Sequence, residues 1–500
     1  MSETLDVKEI TISEVQNAYR AGTVTVAAVV QAYLDRVESI DRNGAKLNSI
    51  VALSPRALDD AATLDAFFAE SGQLFGPLHG VPVLVKDQVE VGGMPTSYGS
   101  EIAAAFVPEK DSTVVARLRA AGAVIMGTTT MPDFATSWFS TSSRSGTTKN
   151  PYDLDRDPGG SSSGSAAAIA ANLSLVGIGG DTGGSIRLPA SFCNLVGLRV
   201  TPGLISRAGM SALVTPQDTP GPMTRTVEDT ARVLDVLAGF DPEDSYTSVN
   251  RIARHTGSYT DGLAESTMKG KRVGVLREVF GDESDVDGAR VNVVLEETLN
   301  KLRADGGETV DVHVNDLMHL VGFTSLYNTR SHDDMDQFFA TRPGTGVTGM
   351  SDVISSGRFH PKLDLLTGIA ASPANPADDD EYVERILAQQ KFQRDVVSLM
   401  VELQLDAIVF PDAKLPAPTR EDVFADRWTC LTYPTNTVIA SQLHFPAITV
   451  PVGFTENGLP VGLEIMSVPY DEPRLLHVAA AVEKATNARR SPEHILESDR

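Results

Sequence analysis

The most informative stretch of this 500-residue chain is Gly179-Gly180-Asp181-Thr182-Gly183-Gly184-Ser185-Ile186-Arg187. It follows the apolar run 173–178, which predicts a buried strand. Glycines let a backbone adopt positive φ and turn several N–H groups towards one point. A similar loop, 158–165 (PGGSSSGS), comes earlier and is separated from the strand by a small-residue helix over 165–172. The sequence therefore predicts two glycine- and serine-rich loops that flank one helix and one strand.

Helical and strand patterns alternate over the rest of the chain. Ser13 and Gln16 form a capping-box pattern that begins a helix ending near Gly22. A second helix is predicted over residues 25–41, where apolar side chains recur at helical spacing. Short apolar runs predict further strands at 80–87, 123–126, 272–276, 407–410, 447–452 and 461–465. Helices alternating with strands over this length indicate an α/β fold built on a layered sheet.

The chain shows no internal repeat and no linker-like segment. We therefore assign residues 1–70 to N-terminal helices that pack on the core and residues 71–500 to the main part of a single domain. The stretch 340–382 is rich in Gly, Pro and Asp, which predicts a mobile insertion.

Composition narrows the classes of protein. Apolar residues make up 42% and charged residues 22%, a mix typical of soluble globular proteins that excludes disordered and fibrous classes. The formal net charge of −24 at pH 7 repels phosphate backbones and anionic lipids. We therefore expect neither nucleic acid nor a membrane as a partner. The N-terminal residues are acidic and polar, unlike a signal peptide, and we expect a cytoplasmic protein.

The two loops suit acyl transfer better than phosphate binding. A phosphate loop would end in Gly-Lys-Ser/Thr, and neither loop does. A serine in a glycine loop can instead attack a carbonyl carbon while backbone N–H groups receive the negative oxygen. Such a serine needs a base, for which His79 and His255 remain candidates. Lys86 is a further candidate because it ends an apolar strand, where burial favours the neutral amine, and its neighbour Asp87 points to the opposite face.

Taken together, these segments resemble the amidase signature family of serine hydrolases. The resemblance is carried by residues 80–87, 158–165, 179–189, 221–227, 445–453 and 458–463, in the family's order. It implies a large mixed β-sheet covered by helices on both faces, with residues 71–500 as the catalytic domain. It also implies an amidase that cleaves a C–N bond with no cofactor.

By motif, the family's Ser–cis-Ser–Lys triad falls on Ser185, Ser161 and Lys86. The resemblance implies that Ser185 is the nucleophile and that Lys86 enters neutral as the general base. Ser161 would follow a cis peptide bond and relay the proton between them. The N–H groups implied for the oxyanion hole are those of Thr182, Gly183, Gly184 and Ser185.

Several nearby motifs fit other chemistries less well. Residues 160–164 match the G-x-S-x-G nucleophile elbow around Ser162, but that elbow follows a strand directly, whereas a loop precedes it here. An S-x-x-K motif begins at Ser266, without the third motif of penicillin-binding enzymes after it. The acidic runs 332–334 and 378–381 lack metal-ligand spacing, so we expect no metal.

Other residues near the motifs have either a packing or a substrate role. Trp138 and Phe139 precede the first serine loop and are candidates for lining the substrate pocket, with core packing as the alternative. Cys193 lies in an apolar segment, which predicts a buried structural thiol. Ser163 stands where the family often has glycine, and Gly180 where Ser or Thr is common. These departures affect only the hydrogen bonding behind the site.

The leading hypothesis is a free-standing amidohydrolase acting on a small, hydrophobic linear amide, with anilides, aliphatic amides and carbamates left open. Its partners would be that small molecule and, at most, a second copy of the chain. The alternative is the glutaminase subunit of a tRNA-dependent amidotransferase, active only with partner subunits; the negative charge argues against contact with tRNA. A non-catalytic binding relative is the third hypothesis, and the presence of all three triad residues argues against it.

Overall fold

A mixed β-sheet forms the centre of the computed structural model, which describes residues 6–253 and 255–492. The eleven strands found in these residues are β1 (Ile50–Leu53), β2 (Pro82–Lys86), β3 (Val124–Thr129), β4 (Val176–Asp181), β5 (Val196–Arg199), β6 (Thr219–Thr224), β7 (Arg272–Val275), β8 (Glu308–Asp311), β9 (Ala407–Pro411), β10 (Ala447–Phe454) and β11 (Pro460–Met466). Their order is β1-β3-β2-β4-β6-β5-β10-β11-β9-β7-β8. Strand β2 is parallel to β3 and β4, and β7 is parallel to β8 and β9, whereas the other neighbours are antiparallel. The predicted α/β fold is confirmed.

Helices pack on both faces of the sheet. The α-helices are α1 (Ile12–Arg20), α2 (Val26–Arg36), α3 (Ala57–Ser71), α4 (Thr113–Ala120), α5 (Ser163–Ala170), α6 (Arg187–Phe192), α7 (Val227–Leu237), α8 (Asn250–Ala253), α9 (Val286–Ala304), α10 (Leu317–Phe323), α11 (Tyr327–Ala340), α12 (Met350–Ser356), α13 (Asp364–Ala371), α14 (Tyr382–Glu402), α15 (Arg420–Phe424), α16 (Val438–Gln442) and α17 (Glu472–Thr486). In β11, Ile465 lies in an apolar cluster with residues of α17, whereas the next residue, Met466, lies in a cluster with residues of α14. Successive strand side chains point to opposite faces, so the two clusters lie on opposite sides of the sheet.

The N-terminal segment differs from its sequence prediction in two details. The capping box of α1 is formed by Thr11 and Glu14, not by Ser13 and Gln16. Starting the helix at Ile12 buries that side chain completely, which explains the earlier start. The segment also contributes strand β1, which pairs antiparallel with β3 at the edge of the sheet, so residues 1–70 are not purely helical.

Three further strands were not predicted from the sequence. Strand β6 lies between β4 and β5 although it contains Pro220 and Pro222, residues that normally argue against a central strand. Strands β5 and β8 have four residues each, too few for a clear period-2 pattern.

The stretch 340–382 contains the helices α12 and α13. Apolar side chains of both helices, including Val353 and Leu366, are buried in the cluster that also contains Trp138 and Phe139. Its composition therefore does not prevent it from packing on the core, and its mobility stays a prediction. Among the described residues, no helix combines the length and apolar character needed to cross a membrane.

The topology brings the predicted site residues together at the carboxyl ends of two neighbouring strands inside the sheet. Strands β2 and β4 are parallel neighbours, with Val85 paired to Ile178. Their carboxyl ends therefore meet, and Lys86 ends β2 where Asp181 ends β4. The loop that leads into α6 carries Ser185, and the loop before α5 carries Ser161.

Candidate active site

Lys86 reaches Ser161 inside the protein. Its Nζ lies 2.7 Å from Oγ of Ser161 and 3.2 Å from the carbonyl oxygen of Gly180, and the side chains of Lys86 and Ser161 are fully buried. The peptide bond between Gly160 and Ser161 is cis. The structure thus joins the strand-end lysine to the first serine loop by a hydrogen bond.

The surroundings of Lys86 favour its neutral form. Burial lowers the pKa of this amine to about 7, against the opposing effect of the Asp181 and Asp218 carboxylates. The neighbouring carboxyl of Asp87 points away, as the strand alternation predicts: it accepts hydrogen bonds from Ser97 and from the amide of Gly99. A largely neutral amine at pH 7 to 8 can accept a proton from a hydroxyl.

Ser185 lies beside this pair, in the second loop. The amide of Ser162 donates a hydrogen bond to the carbonyl oxygen of Ser185 at 3.1 Å, which ties the two loops together. Ser185 is 4% exposed, whereas Ser161 is completely enclosed. Of the two, Ser185 is therefore the one that a substrate can approach.

The loop before Ser185 presents backbone N–H groups. The amides of Thr182, Gly183 and Ser185 make no hydrogen bond to any described residue, so they are available to a ligand. The amide of Gly184, which the resemblance placed in the oxyanion hole, instead donates to Oδ1 of Asp181 at 2.9 Å. Because that donor is already engaged, we leave Gly184 out of the proposed hole.

The backbone at Gly184 needs a glycine. Its φ is +137°, and a Cβ at this position would lie 1.8 Å from Oγ1 of Thr437. The Thr437 hydroxyl donates to the carbonyl oxygen of Gly183 at 2.9 Å. Thr437, which was not predicted from the sequence, thus holds the loop by this hydrogen bond. Its side chain also leaves no room for any residue other than glycine at position 184.

A buried ionic network supports the loop from below. Asp181 accepts hydrogen bonds from the amides of Gly184 and Ile186 and from both Arg187 and Arg199, all of them buried. Burial alone would raise the pKa of Asp181, but the two guanidinium groups hold it well below its usual range. Arg187 also pairs with the buried carboxylate of Glu464. Asp181 is therefore a fixed negative charge that shapes the backbone around Ser185.

Two aromatic rings press on the same loop. A Cβ at Gly183 would lie 2.9 Å from Cη2 of Trp138 and 2.3 Å from the hydroxyl oxygen of Tyr327. Trp138 is therefore next to the loop that precedes Ser185, where the sequence analysis looked for a pocket residue. Phe139 packs edge-on against Tyr433 at a ring-centroid distance of 5.5 Å, and its part in substrate binding stays a prediction. Tyr327, at the start of α11, carries no local sequence signal.

The two histidines considered as bases lie in other environments. His79 accepts a hydrogen bond from the amide of Phe75 through Nδ1, and His255 packs against Tyr259 at a ring-centroid distance of 4.3 Å. No histidine of the described residues hydrogen-bonds to the serine of either loop. Of these three side chains, Lys86 is the one that contacts a serine of either loop in the described part of the chain, and its role as the base stays a prediction.

The competing motifs have other partners. Ser162 exchanges hydrogen bonds with the backbone of Gly180, and Ser266 lies 2.8 Å from Nδ1 of His477. Cys193 is buried, and burial raises the pKa of its thiol, which fits the predicted structural role. The described part of the chain contains no cluster of three His, Cys, Asp or Glu side chains suited to a metal ion.

The sequence matches a family model described as Amidase over residues 28–476. Several curated relatives are named as one of the subunits of glutamyl-tRNA(Gln) amidotransferase. The one from Alkaliphilus metalliredigens is 33% identical over 489 residues, which cover 96% of this chain and 97% of the relative.

Solved structures of related enzymes are also similar to this chain. The peptide amidase of Stenotrophomonas maltophilia has 33% sequence identity and a TM-score of 0.85, with 97% of this chain and 98% of that chain covered. The glutamyl-tRNA(Gln) amidotransferase subunit from Thermotoga maritima has 25% identity and a TM-score of 0.73, with coverages of 98% and 97%. The family resemblance drawn from the motifs is confirmed.

These comparisons correct the expected partners. We expected a small-molecule amide or carbamate, no nucleic acid, no membrane and possibly a homodimer. That set of partners is wrong, because curated relatives that align over more than nine-tenths of their length are named as one subunit of an amidotransferase, which points to partner subunits and not to a small-molecule amide alone.

Proposed function

This chain belongs to the amidase family, and we propose that it cleaves the C–N bond of a carboxamide through an acyl-enzyme formed on Ser185. The observation that supports the proposal best is the 2.7 Å contact between Lys86 and Ser161, made by an amine whose pKa burial lowers to about 7. A buried lysine of this kind can serve as a general base near neutral pH.

Acylation begins with a proton transfer. Neutral Lys86 takes the proton of the Ser161 hydroxyl, and Ser161 takes the proton of Ser185. Oγ of Ser185 then bonds to the carbonyl carbon of the substrate. The negative oxygen that develops accepts hydrogen bonds from the free amides of Thr182, Gly183 and Ser185, donors that are fixed before the reaction starts.

Collapse of the tetrahedral intermediate breaks the C–N bond. The leaving nitrogen takes a proton that returns from Lys86 through Ser161, so the amine departs neutral. A water molecule then attacks the acyl carbon, with Lys86 again accepting the proton, and releases the carboxylic acid and free Ser185.

For the substrate and setting, we propose the glutaminase component of an amidotransferase that works with partner subunits. The curated relatives named as amidotransferase subunits support this, since they align with this chain over nearly their full length. In that role the side-chain amide of glutamine is cleaved. The glutamyl group becomes attached to Ser185 through its side-chain carbonyl carbon, and the leaving group is ammonia.

A second candidate is hydrolysis of a peptide amide. The specific observation in its favour is the higher structural similarity to a peptide amidase, with a TM-score of 0.85 against 0.73 for the Thermotoga maritima amidotransferase subunit. Both candidates share the release of ammonia from a primary carboxamide.

Ammonia release from glutamine and from N-acetylphenylalaninamide separates the two, with the chain assayed alone and as purified with its bound proteins from its own cells. The glutaminase proposal predicts ammonia from glutamine that increases when the bound proteins are present. Ammonia from the peptide amide by the chain alone would favour the second candidate. Release from neither substrate in either preparation would contradict carboxamide hydrolysis.

A further inference from the structure

The hydroxyl of Tyr327 stands free beside the loop that precedes Ser185. A Cβ on Gly183 would lie 2.3 Å from this oxygen, which places it next to a donor of the proposed oxyanion hole. The hydroxyl makes no hydrogen bond to any described residue, and the side chain is only half-buried. A polar group that packs against a catalytic loop without a protein partner is available to a bound ligand.

The surroundings of Tyr327 keep it a hydrogen-bond donor. Burial raises the pKa of the phenol well above its usual value, and the groups of Cys430, Asp181 and Asp218 add to the rise. A neighbouring negative charge opposes ionisation of the phenol, so the proton stays on the oxygen at any pH at which the enzyme works. Tyr327 therefore offers an O–H to an acceptor atom.

Hydrogen bonds connect the helix that carries this ring to the loop before Ser185. Oδ2 of Asp334, two turns further along α11, accepts from the amide of Thr215 at 2.8 Å and from Nε of Arg330 at 2.9 Å. The segment that contains Thr215 also contains Asp218, which accepts from the hydroxyl of Thr182 at 2.5 Å. Helix α11 and the loop before Ser185 are thus braced on one common segment, which keeps the start of the helix close to the loop.

Trp138 lies beside Tyr327 at the same loop. Its indole meets the same side of Gly183 as Tyr327, so the loop before Ser185 is flanked by one apolar ring and one ring with a polar tip. A plain hydrocarbon would cover the hydroxyl and leave it without a partner, which is costly, whereas an oxygen on the acyl group would satisfy it.

We propose that Tyr327 is a specificity-determining residue whose hydroxyl donates a hydrogen bond to a carbonyl or carboxylate oxygen on the acyl group of the substrate. The site then prefers acyl groups that carry such an oxygen, as in glutamine or a peptide amide, over plain aliphatic amides. This inference rests on the proposed function, because it assumes that an acyl group binds at Ser185.

The test compares Tyr327→Phe with the parent enzyme on two matched substrate pairs. The pairs are glutamine with butanamide and N-acetylphenylalaninamide with 3-phenylpropanamide; the second member of each lacks the acceptor oxygen. In the pair that the parent hydrolyses, we expect the variant to lose about tenfold in kcat/KM for the acceptor-bearing amide, mainly through KM, and less than about threefold for its partner. Tyr470→Phe is the control, because this tyrosine follows β11, away from α11, and its hydroxyl makes no hydrogen bond to any described residue.

Each other result is decisive. An equal loss for both members of a pair, or no loss for either, would overturn the role of Tyr327 while leaving carboxamide hydrolysis intact. If the parent enzyme hydrolyses none of the four amides, either alone or as purified with its bound proteins, the proposed function fails and the inference fails with it.

Discussion

Nζ of Lys86 lies 2.7 Å from Oγ of Ser161, and both side chains are closed to solvent. This contact joins the end of a central strand to the loop that precedes α5, two segments far apart in the sequence. The parallel pairing of β2 with β4 brings them together, and burial then lowers the pKa of the amine to about 7.

The pH dependence of acylation should report this amine. Because Lys86 must be neutral to accept a proton and its pKa lies at about 7, kcat/KM should rise about tenfold per pH unit below pH 7 and level off above it. Lys86→Ala should lower kcat/KM by about a thousandfold, remove this inflection and regain part of the activity at high pH, where hydroxide replaces the base. A pH–rate profile of both proteins checks this, with the surface variant Lys110→Ala as control. An inflection that persists in Lys86→Ala would assign it to another group.

Ser185→Ala should remove turnover while leaving the fold intact. The loss should be at least about 10,000-fold in kcat, since the acyl bond can no longer form. Ser163→Ala, at the first residue of α5, is a matched control: its buried hydroxyl has no partner in the described part of the chain, so its removal should cost neither activity nor stability. Steady-state kinetics and thermal melts of the pair measure this. Comparable activity in the two variants would exclude Ser185 as the nucleophile.

Gly184→Ala should disrupt the loop before Ser185. The new methyl group would meet Thr437 at 1.8 Å in a backbone of φ +137°, so both activity and melting temperature should fall. Gly93→Ala is the control that measures backbone strain without a steric clash. Gly93 has φ +77°, and nothing lies within 4 Å of the added atom. That control should lose only about 1 kcal/mol of stability and keep its activity. Equal losses of activity and melting temperature in the two variants would show that the Thr437 side chain moves aside to make room for the methyl group.

Arg187→Met should destabilise the protein through the charges it leaves behind. Asp181 and Glu464 would remain buried without their shared partner, at a cost of about 3–5 kcal/mol in the free energy of unfolding. Arg232→Met removes an exposed pair with Glu228 on α7 and should cost no more than about 0.5 kcal/mol. Denaturant unfolding curves of both variants test the difference. A small loss for Arg187→Met would mean that the network relaxes when the cation leaves.

The sequence predicted most of the strands and the loops that follow them, because each is a local pattern. Residue chemistry alone left Lys86, His79 and His255 open as bases, and only the family resemblance pointed to Lys86. The pairing of β2 with β4 is what brings Lys86 to Ser161 in the folded chain. The capping box at the N-terminus was ambiguous for a similar reason: Thr11–Glu14 and Ser13–Gln16 both fit the pattern, and burial of Ile12 selects the first.

Other features had no local signal at all. Strand β6 is stabilised by its neighbours β4 and β5, which outweigh the two prolines within it. Tyr327 and Thr437 reach the loop before Ser185 from distant parts of the chain, so their role exists only in the folded protein. The hydrogen bond from the amide of Gly184 to Asp181 likewise depends on the orientation of that carboxylate in the folded protein.

Fluorophosphonate labelling of the purified chain followed by peptide mapping, repeated on Lys86→Ala, tests the central claim most directly. It needs no knowledge of the substrate, since the probe reports an activated serine. We predict an adduct on Ser185 that becomes much weaker in the lysine variant. An adduct on Ser162 or Ser266, or labelling of Ser185 that does not depend on Lys86, would contradict the proposed catalytic machinery.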